Sequence, residues 1–329
     1  MAGVKILFIG GTQFVGRAMA LAAVRDGHEV TLLHRGKSGN DEVPGAEHLL
    51  ADRDGDLSVL AEREWDATID VCGYFPRQIR SLAEALDGRG GHHVYISSIS
   101  AYAEPDQPDF DEDAALLEPA GDSETEITGG NYGKLKVACE LAAAEAYGDN
   151  LTIIRPTYVV GPYDYTGRFP YWVRRIADGG EVLAPGPADA AMQLVDVRDL
   201  AEFTVKCAAD ASSGTYNGCR ETFTFGDMLE AIATTTGSEA TLTWVDGDFL
   251  AANEVSPMQL PLWSGGDHAA ALTASPARAR TAGLRLRPVE ETITDTLAWL
   301  KQPDAIILFP GGLEPDAEAK LLAAWHERT

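Results

Sequence analysis

Residues 4–16 read VKILFIGGTQFVG: apolar residues run up to a glycine pair, Gly10 and Gly11, and a third glycine, Gly16, follows five residues later. A short apolar run that stops at glycine reads as a buried strand, and the stretch GRAMALAAVRDG behind it reads as an amphipathic helix. A strand ending at Ile9 and a helix starting near Gly16 aim backbone N–H groups and the helix dipole at one point, which suits a bound anion. Gly10 permits the sharp turn, and Gly16 lets the helix pack closely on the strand. Gln13 stands where such a turn usually has its middle glycine, so its side chain must point away from the bound group or touch it.

The alternation continues along the first half of the chain. EVTLLHR, ATIDVCG, HHVYISS and LTIIRP read as short buried strands, with PRQIRSLAEALDG as a further helix between two of them. Near-continuous apolar strands separated by helices imply a parallel sheet covered on both faces, the doubly wound α/β architecture of Rossmann type. After Pro156 the chain turns rich in Gly, Pro and aromatic residues through GPYDYTGRFPYW. The expected division is a dinucleotide-binding domain over 1–163, which takes back about 190–210, and a smaller substrate lobe over 164–329. The segment from Glu104 to Glu126 holds ten acidic residues and no basic one, and reads as an exposed loop. Residues 314–327 read as a final amphipathic helix.

Composition narrows the class. With 329 residues, 45% hydrophobic and 23% charged, the chain matches an ordinary globular protein with a sizeable core. No apolar run approaches the roughly 18 residues needed to cross a bilayer. Strand-like sequence begins at Val4 and leaves no room for a leader, so a cytoplasmic protein is expected. Cys72, Cys139, Cys207 and Cys219 are far apart and read as reduced core residues, and no His/Cys ligand spacing appears, so no metal is expected. The formal charge of −25 repels phosphate backbones and anionic lipid surfaces, which argues against nucleic acid and membrane partners. Its 19 arginines against 7 lysines, in so acidic a chain, suggest adaptation to high salt. A small-molecule substrate and a homodimeric assembly are expected.

The cofactor site is expected at Gly10, Thr12, Gln13, Phe14, Val15 and Gly16. The second strand usually ends on an acid that binds the ribose 2′-hydroxyl; here LLHRGK places Arg35 and Lys37 instead, which favours NADP over NAD. Asp52 after the third strand is placed to reach adenine, and Cys72 and Gly73 end the next strand beside the cofactor.

A candidate catalytic group lies in NYGKLK. Tyr132 and Lys136 are four apart, so on a helix they share one face, separated by about 6 Å of rise. A unit charge about 4 Å from a phenol, at an effective dielectric near 20, is worth roughly 4 kcal/mol, or about three pKa units. A phenol so tuned can exchange a proton in step with hydride transfer, while a serine from SSISAY holds the substrate oxygen.

GGTQFVG, YISSISAY, YGKLK, IIRPTYVVGP and LVDVRDLAE together resemble the extended short-chain dehydrogenase/reductase superfamily, in its NAD-dependent epimerase/dehydratase branch. The resemblance is strong to about residue 205 and looser beyond. It implies Tyr132 as acid/base, Lys136 as its activator and ribose ligand, Ser98 as the hydroxyl partner, with Ser97 and Ser100 as alternatives, and Pro156 beside the nicotinamide carboxamide. It also implies departures. Nucleotide-sugar members carry an Asn where this chain has Tyr158 and an Arg where it has Met192, and SGGDHAAAL stands in place of an Arg-x-Gly-Asp-like stretch. Arg168 in the aromatic loop is a candidate for an anionic substrate. Tyr163, Tyr165, Phe169, Tyr171 and Trp172 form either a stacking wall or lobe packing.

The sequence therefore predicts an NAD(P)-dependent oxidoreductase or epimerase acting on a hydroxyl- or carbonyl-bearing carbon of a sugar-like or small carbonyl substrate. A nucleotide-sugar epimerase or dehydratase proper is the first alternative. The non-glycine Gln13 also resembles atypical members, including chloroplast stem-loop RNA-binding proteins, and gives a second: a nucleotide-sensing or RNA-binding protein on the same scaffold.

Overall fold

The computed structural model describes residues 3–37, 43–256, 259–263, 269–309 and 311–328. Six strands and three helices build the part that carries the glycine turn: β1 (Lys5–Ile9), α1 (Phe14–Arg25), β2 (Glu29–His34), β3 (Glu47–Leu50), β4 (Ala67–Asp70), α2 (Pro76–Leu86), β5 (His92–Ile96), α3 (Tyr132–Tyr147) and β6 (Leu151–Pro156). A seventh strand, Gly214–Gly218, closes the sheet beside β6 and gives the order Gly214–Gly218, β6, β5, β4, β1, β2, β3. All of these pairings are parallel. The inner strands β1, β2, β4, β5 and β6 are buried on both faces, as their Val, Ile and Leu content requires, and Ile6, Leu7, Phe8, Leu32 and Ile69 are wholly inaccessible; the edge strand β3 is largely exposed.

The order reverses at β1, which lies between β4 and β2. Register brings Ile9 level with Leu33 on one side and Asp70 on the other, and Asp70 level with Tyr95. The C-terminal ends of β1, β4 and β5 thus form one edge at the switch point, where open α/β sheets bind their ligands.

The chain divides into two compact units. The first is Met1–Val159 with Val197–Arg220 and Ala274–Leu286; the second is Val160–Asp196 with Glu221–Thr273 and Arg287–Thr329. The sequence places the boundary at 163/164 and the returning segment at about 190–210. In the structure the return runs from Val197 to Arg220, because the helix Val197–Ala209 packs against α1 and leads into the seventh strand. The second return, 274–286, carries the short helix Ala277–Ala282.

In the second unit the strands Glu181–Pro185 and Thr241–Val245 pair in parallel, and the helices include Arg168–Ala177, Phe225–Thr236, Val289–Leu300 and Pro315–His326. Phe169, Tyr171 and Trp172 are buried there, and the Trp172 indole donates to the Pro261 carbonyl at 2.6 Å. Three of the five aromatics in the glycine-rich stretch are therefore core; Tyr163 is exposed and Tyr165 half-buried. The acidic segment is only partly an exposed loop. Phe110 and Glu112 are buried, Phe110 packs on Tyr102, and Arg278 pairs with Asp111, Glu112 and Asp113.

Candidate active site

The glycine turn joins β1 to α1 under tight steric limits. Gly10 (φ 96°) and Gly11 (φ 100°) adopt the left-handed region; a Cβ on Gly10 would lie 2.8 Å from Val71 Cγ2. On Gly16 it would lie 2.8 Å from Gly11 N and Cα, main-chain atoms that cannot yield. Phe14, at φ 30°, opens α1 with its ring buried, and Gln13 is the extended N-cap residue with an exposed side chain and no capping bond. Gln13 therefore points to solvent. Thr12 is buried and Val15 half-buried. The Arg17 N–H makes the first intrahelical bond, to Gln13 O at 3.1 Å, so the amides of Val15 and Gly16 precede the ladder. A turn with glycines at 10, 11 and 16 in front of a helix N-terminus fits a dinucleotide pyrophosphate.

At the end of β2, Arg35 and Lys37 are exposed. His34 is buried: its Nδ1 accepts the Gly36 N–H at 3.2 Å, and its Nε2 faces His48 Nδ1 at 2.8 Å. With Nδ1 accepting, Nε2 carries the proton and donates to His48. Asp52 is exposed and turns back on its own loop, accepting the Asp54 N–H at 3.1 Å. Its neighbour Arg53, which the sequence reading passed over, is buried and bonds both oxygens of Asp70 at 2.7 and 2.9 Å. Burial opposes charge on Asp70, but Arg53 overcomes it and holds the carboxyl below its ordinary range. This pair stiffens the end of β4, where the Cys72 N–H donates to Asp70 and the half-buried Cys72 thiol donates to Ile9 O. Burial pushes the Cys72 thiol up, against Arg53.

α3 carries the proposed proton-handling residues. Gly133 fixes its entry: a Cβ there would sit 2.0 Å from Ser100 O, so only glycine lets the first turn of α3 rest on the Ser98–Ser100 segment. Ser98, 9% exposed, accepts the Ser100 N–H at 3.1 Å and caps a short 3-10 turn. Its own O–H proton remains available for another acceptor. Tyr132 is half-buried, and Lys136 and Glu140 follow it at helical intervals on the buried face. The Lys136 ammonium lies 6.0 Å from the Tyr132 ring centroid and donates to Ile96 O (2.9 Å), Gly73 O (3.1 Å) and the Tyr95 hydroxyl (3.2 Å). None of its three bonds goes to Tyr132.

Ser97 is no free stand-in for Ser98. Its hydroxyl donates to Glu140 Oε1 at 2.5 Å, and Glu140 is paired bidentately with Arg155 at 2.9 and 2.6 Å. Arg155 lies over the Tyr102 ring at 4.6 Å, so its role is structural. Burial pushes the Tyr102 phenol up to about 12, and its hydroxyl donates to Asn217 Oδ1 at 2.8 Å. The position of Glu140, four residues after Lys136, was the available signal for this anchor; Tyr95, read only as part of an apolar strand, left none.

Pro156 ends β6 opposite Gly218, and Tyr158 is half-buried just beyond it. In the second unit Arg168 Nε donates to Thr166 Oγ1 at 3.2 Å, within a turn whose buried Asp164 accepts from the Thr166 hydroxyl and N–H. Met192 is buried and pairs with Phe223, as a core residue does. Residues 264–268 of the SGGDHAAAL stretch lie outside the described residues. Among the described residues no cluster of His, Cys, Asp or Glu could hold a metal, and no helix is long and apolar enough to cross a membrane.

Comparison with known proteins adds three findings. Residues 77–218 match the model of the NAD dependent epimerase/dehydratase family. The chain is 31% identical over 214 residues to the chloroplast stem-loop binding protein of 41 kDa b of Arabidopsis thaliana, covering 60% of this chain and 53% of that one; it spans about half the length of this curated relative. Its fold is similar to that of the Bordetella bronchiseptica enzyme WbmH, solved in complex with NAD+ (TM-score 0.69, 17% identity, 91% of this chain and 99% of that one). It is also similar to that of a UDP-glucose 4-epimerase from Thermotoga maritima, solved with UDP-glucose (TM-score 0.67, 16% identity, 90% and 98%).

Proposed function

We propose that Ser98, Tyr132 and Lys136 form the active site of a nicotinamide-dependent enzyme of the extended short-chain dehydrogenase/reductase type, in a chain whose residues 77–218 match the NAD dependent epimerase/dehydratase family model. The observation that supports this reading is Lys136 on α3, which donates to Gly73 O and Ile96 O beyond β4 and at the end of β5, on the edge that also bears the glycine turn, with Tyr132 one helical turn before it. A bound nicotinamide dinucleotide supplies the hydride acceptor or donor. Tyr132 holds or takes the proton at the substrate oxygen. Ser98, whose oxygen is occupied by the Ser100 N–H, donates its hydroxyl proton to that oxygen and fixes it. Lys136 provides a fixed positive charge one turn below the phenol.

The cofactor favoured is NADP, on Arg35 and Lys37 at the end of β2, with NAD as the alternative. The substrate is a small-molecule alcohol or carbonyl compound of sugar-like size. A nucleotide sugar is less well supported: Met192 packs in the core where a diphosphate-binding cation is expected, and Arg168 is engaged by its own turn. We place the enzyme in the cytoplasm as a homodimer.

The named relative favours a second reading, a stem-loop RNA-binding protein on this scaffold. The formal charge of −25 opposes it, because each phosphate contact needs a cation. Tyr132→Phe separates the two. It is expected to keep dinucleotide affinity and to lower turnover by about two to four orders of magnitude, the range of a lost acid/base group. Full activity in the variant removes the assignment; a chain that binds no dinucleotide yet retains stem-loop RNA in 0.15 M KCl, about physiological strength, supports the second reading.

A further inference from the structure

An ammonium has three protons to donate, and in this protein all three of Lys136 go to protein acceptors. The side chain is 3% exposed, and its partners are two main-chain carbonyls, of Ile96 and Gly73, and one hydroxyl, of Tyr95. Tyr95 is wholly buried on β5, and its hydroxyl is itself fixed by donating to Gly73 O at 2.8 Å. Burial drives the phenol far above its ordinary range, so it is a neutral hydroxyl throughout the working range. A ribose hydroxyl can therefore accept from Lys136 only by displacing one of these three. The two carbonyls are held at the ends of β4 and β5. The Tyr95 bond is the longest of the three, and its oxygen keeps its donor bond to Gly73 when the ammonium leaves.

We propose that the Tyr95 hydroxyl holds the place of a ribose hydroxyl on Lys136, which makes Tyr95 a positioning residue that tunes affinity for the nicotinamide half of the cofactor. The inference rests on the dinucleotide reading above. Tyr95→Phe keeps the ring and deletes the placeholder, leaving one buried Lys136 proton unpaired until a ligand arrives. Both states lose the Tyr95 donor bond to Gly73 O, but only the unliganded state also loses an acceptor on Lys136, so it is raised by more.

Calorimetric titration with NADP, ADP-ribose and ADP tests this, since the first two carry the second ribose and ADP does not. Tyr95→Phe is expected to bind NADP and ADP-ribose about three- to tenfold tighter, the scale of one hydrogen bond to a charged group, and ADP unchanged. In a Lys136→Met background the same substitution is expected to change none of the three. A variant melting lower than wild type without ligand, with a smaller deficit when saturated with ADP-ribose than when saturated with ADP, agrees with the proposal. Unchanged or weaker ADP-ribose binding, an equal change for ADP, or a variant that does not fold overturns it. Wild-type protein that binds none of the three removes the dinucleotide reading and this proposal together, whereas wild-type binding without the selective gain overturns the proposal alone.

Discussion

Arg35 and Lys37 stand exposed at the end of β2, beside a buried His34 whose Nε2 proton is spent on His48. Of these, Arg35 follows directly on the strand and is the better placed to pair with a 2′-phosphate. Arg35→Asp is expected to move the ratio of NADP to NAD affinity toward NAD by at least tenfold, about the worth of one charge-assisted contact, as read by parallel fluorescence titrations. An unchanged ratio places the phosphate-binding group elsewhere. The residue scale is where sequence reading was most uneven. The shared helix face of Tyr132 and Lys136 was legible from their spacing, whereas Ser98 came from the resemblance alone. Arg53 and Tyr95 were not legible: each owes its role to a partner on another strand, Asp70 and the Gly73 carbonyl, and to burial that no local pattern announces.

Two elements, β5 and α3, meet along a seam that is polar for a core. His93 on β5 stacks on Tyr147 of α3 with ring centroids 3.9 Å apart, and neither ring nitrogen of His93 has a hydrogen-bond partner. Burial pushes His93 from its ordinary 6.5 down to about 4, with Asp70 opposing the shift and Arg53 and His92 adding to it. As pH falls from 6.5 to 4 the unfolded chain takes up a proton there that the folded chain refuses. Stability is therefore lost across that window and levels off below it, by about 3 kcal/mol in all. His93→Phe keeps the stack and removes the titration. Urea unfolding is expected to show the variant gaining on wild type as pH falls from 7 to 4.5; a difference independent of pH would show that His93 ionises freely in the fold. At the same seam, Glu140 and Arg155 fasten α3 to β6, so the helix that presents Tyr132 and Lys136 is pinned near its middle as well as at Gly133.

Over the whole molecule, 51 acidic residues face 26 basic ones. The structure uses arginine for its inner pairs, Arg53 with Asp70 and Arg155 with Glu140, and leaves most carboxylates in solvent. Such a surface repels itself, and screening falls off within about 10 Å at 0.1 M salt and about 3 Å at 1 M. We propose a salt-adapted protein on this ground. Its melting temperature is expected to rise between about 0.1 and 2 M KCl, by at least several degrees for a few kcal/mol of relieved repulsion. A flat or falling melting curve would show that the acidic surface is merely tolerated.

The sequence by itself determined the doubly wound sheet, the glycine turn and the helix that carries Tyr132 and Lys136. These follow from apolar periodicity and from glycines whose missing Cβ leaves one geometry, and both are local properties of the chain. Tertiary structure alone decided that 274–286 returns to the first unit, that Phe169, Tyr171 and Trp172 are packing, and that Lys136 is held by Tyr95, Gly73 and Ile96 rather than by Tyr132. The reason is physical. A buried ammonium takes whichever acceptors the ends of neighbouring strands deliver, and parallel strands far apart in sequence set those positions together.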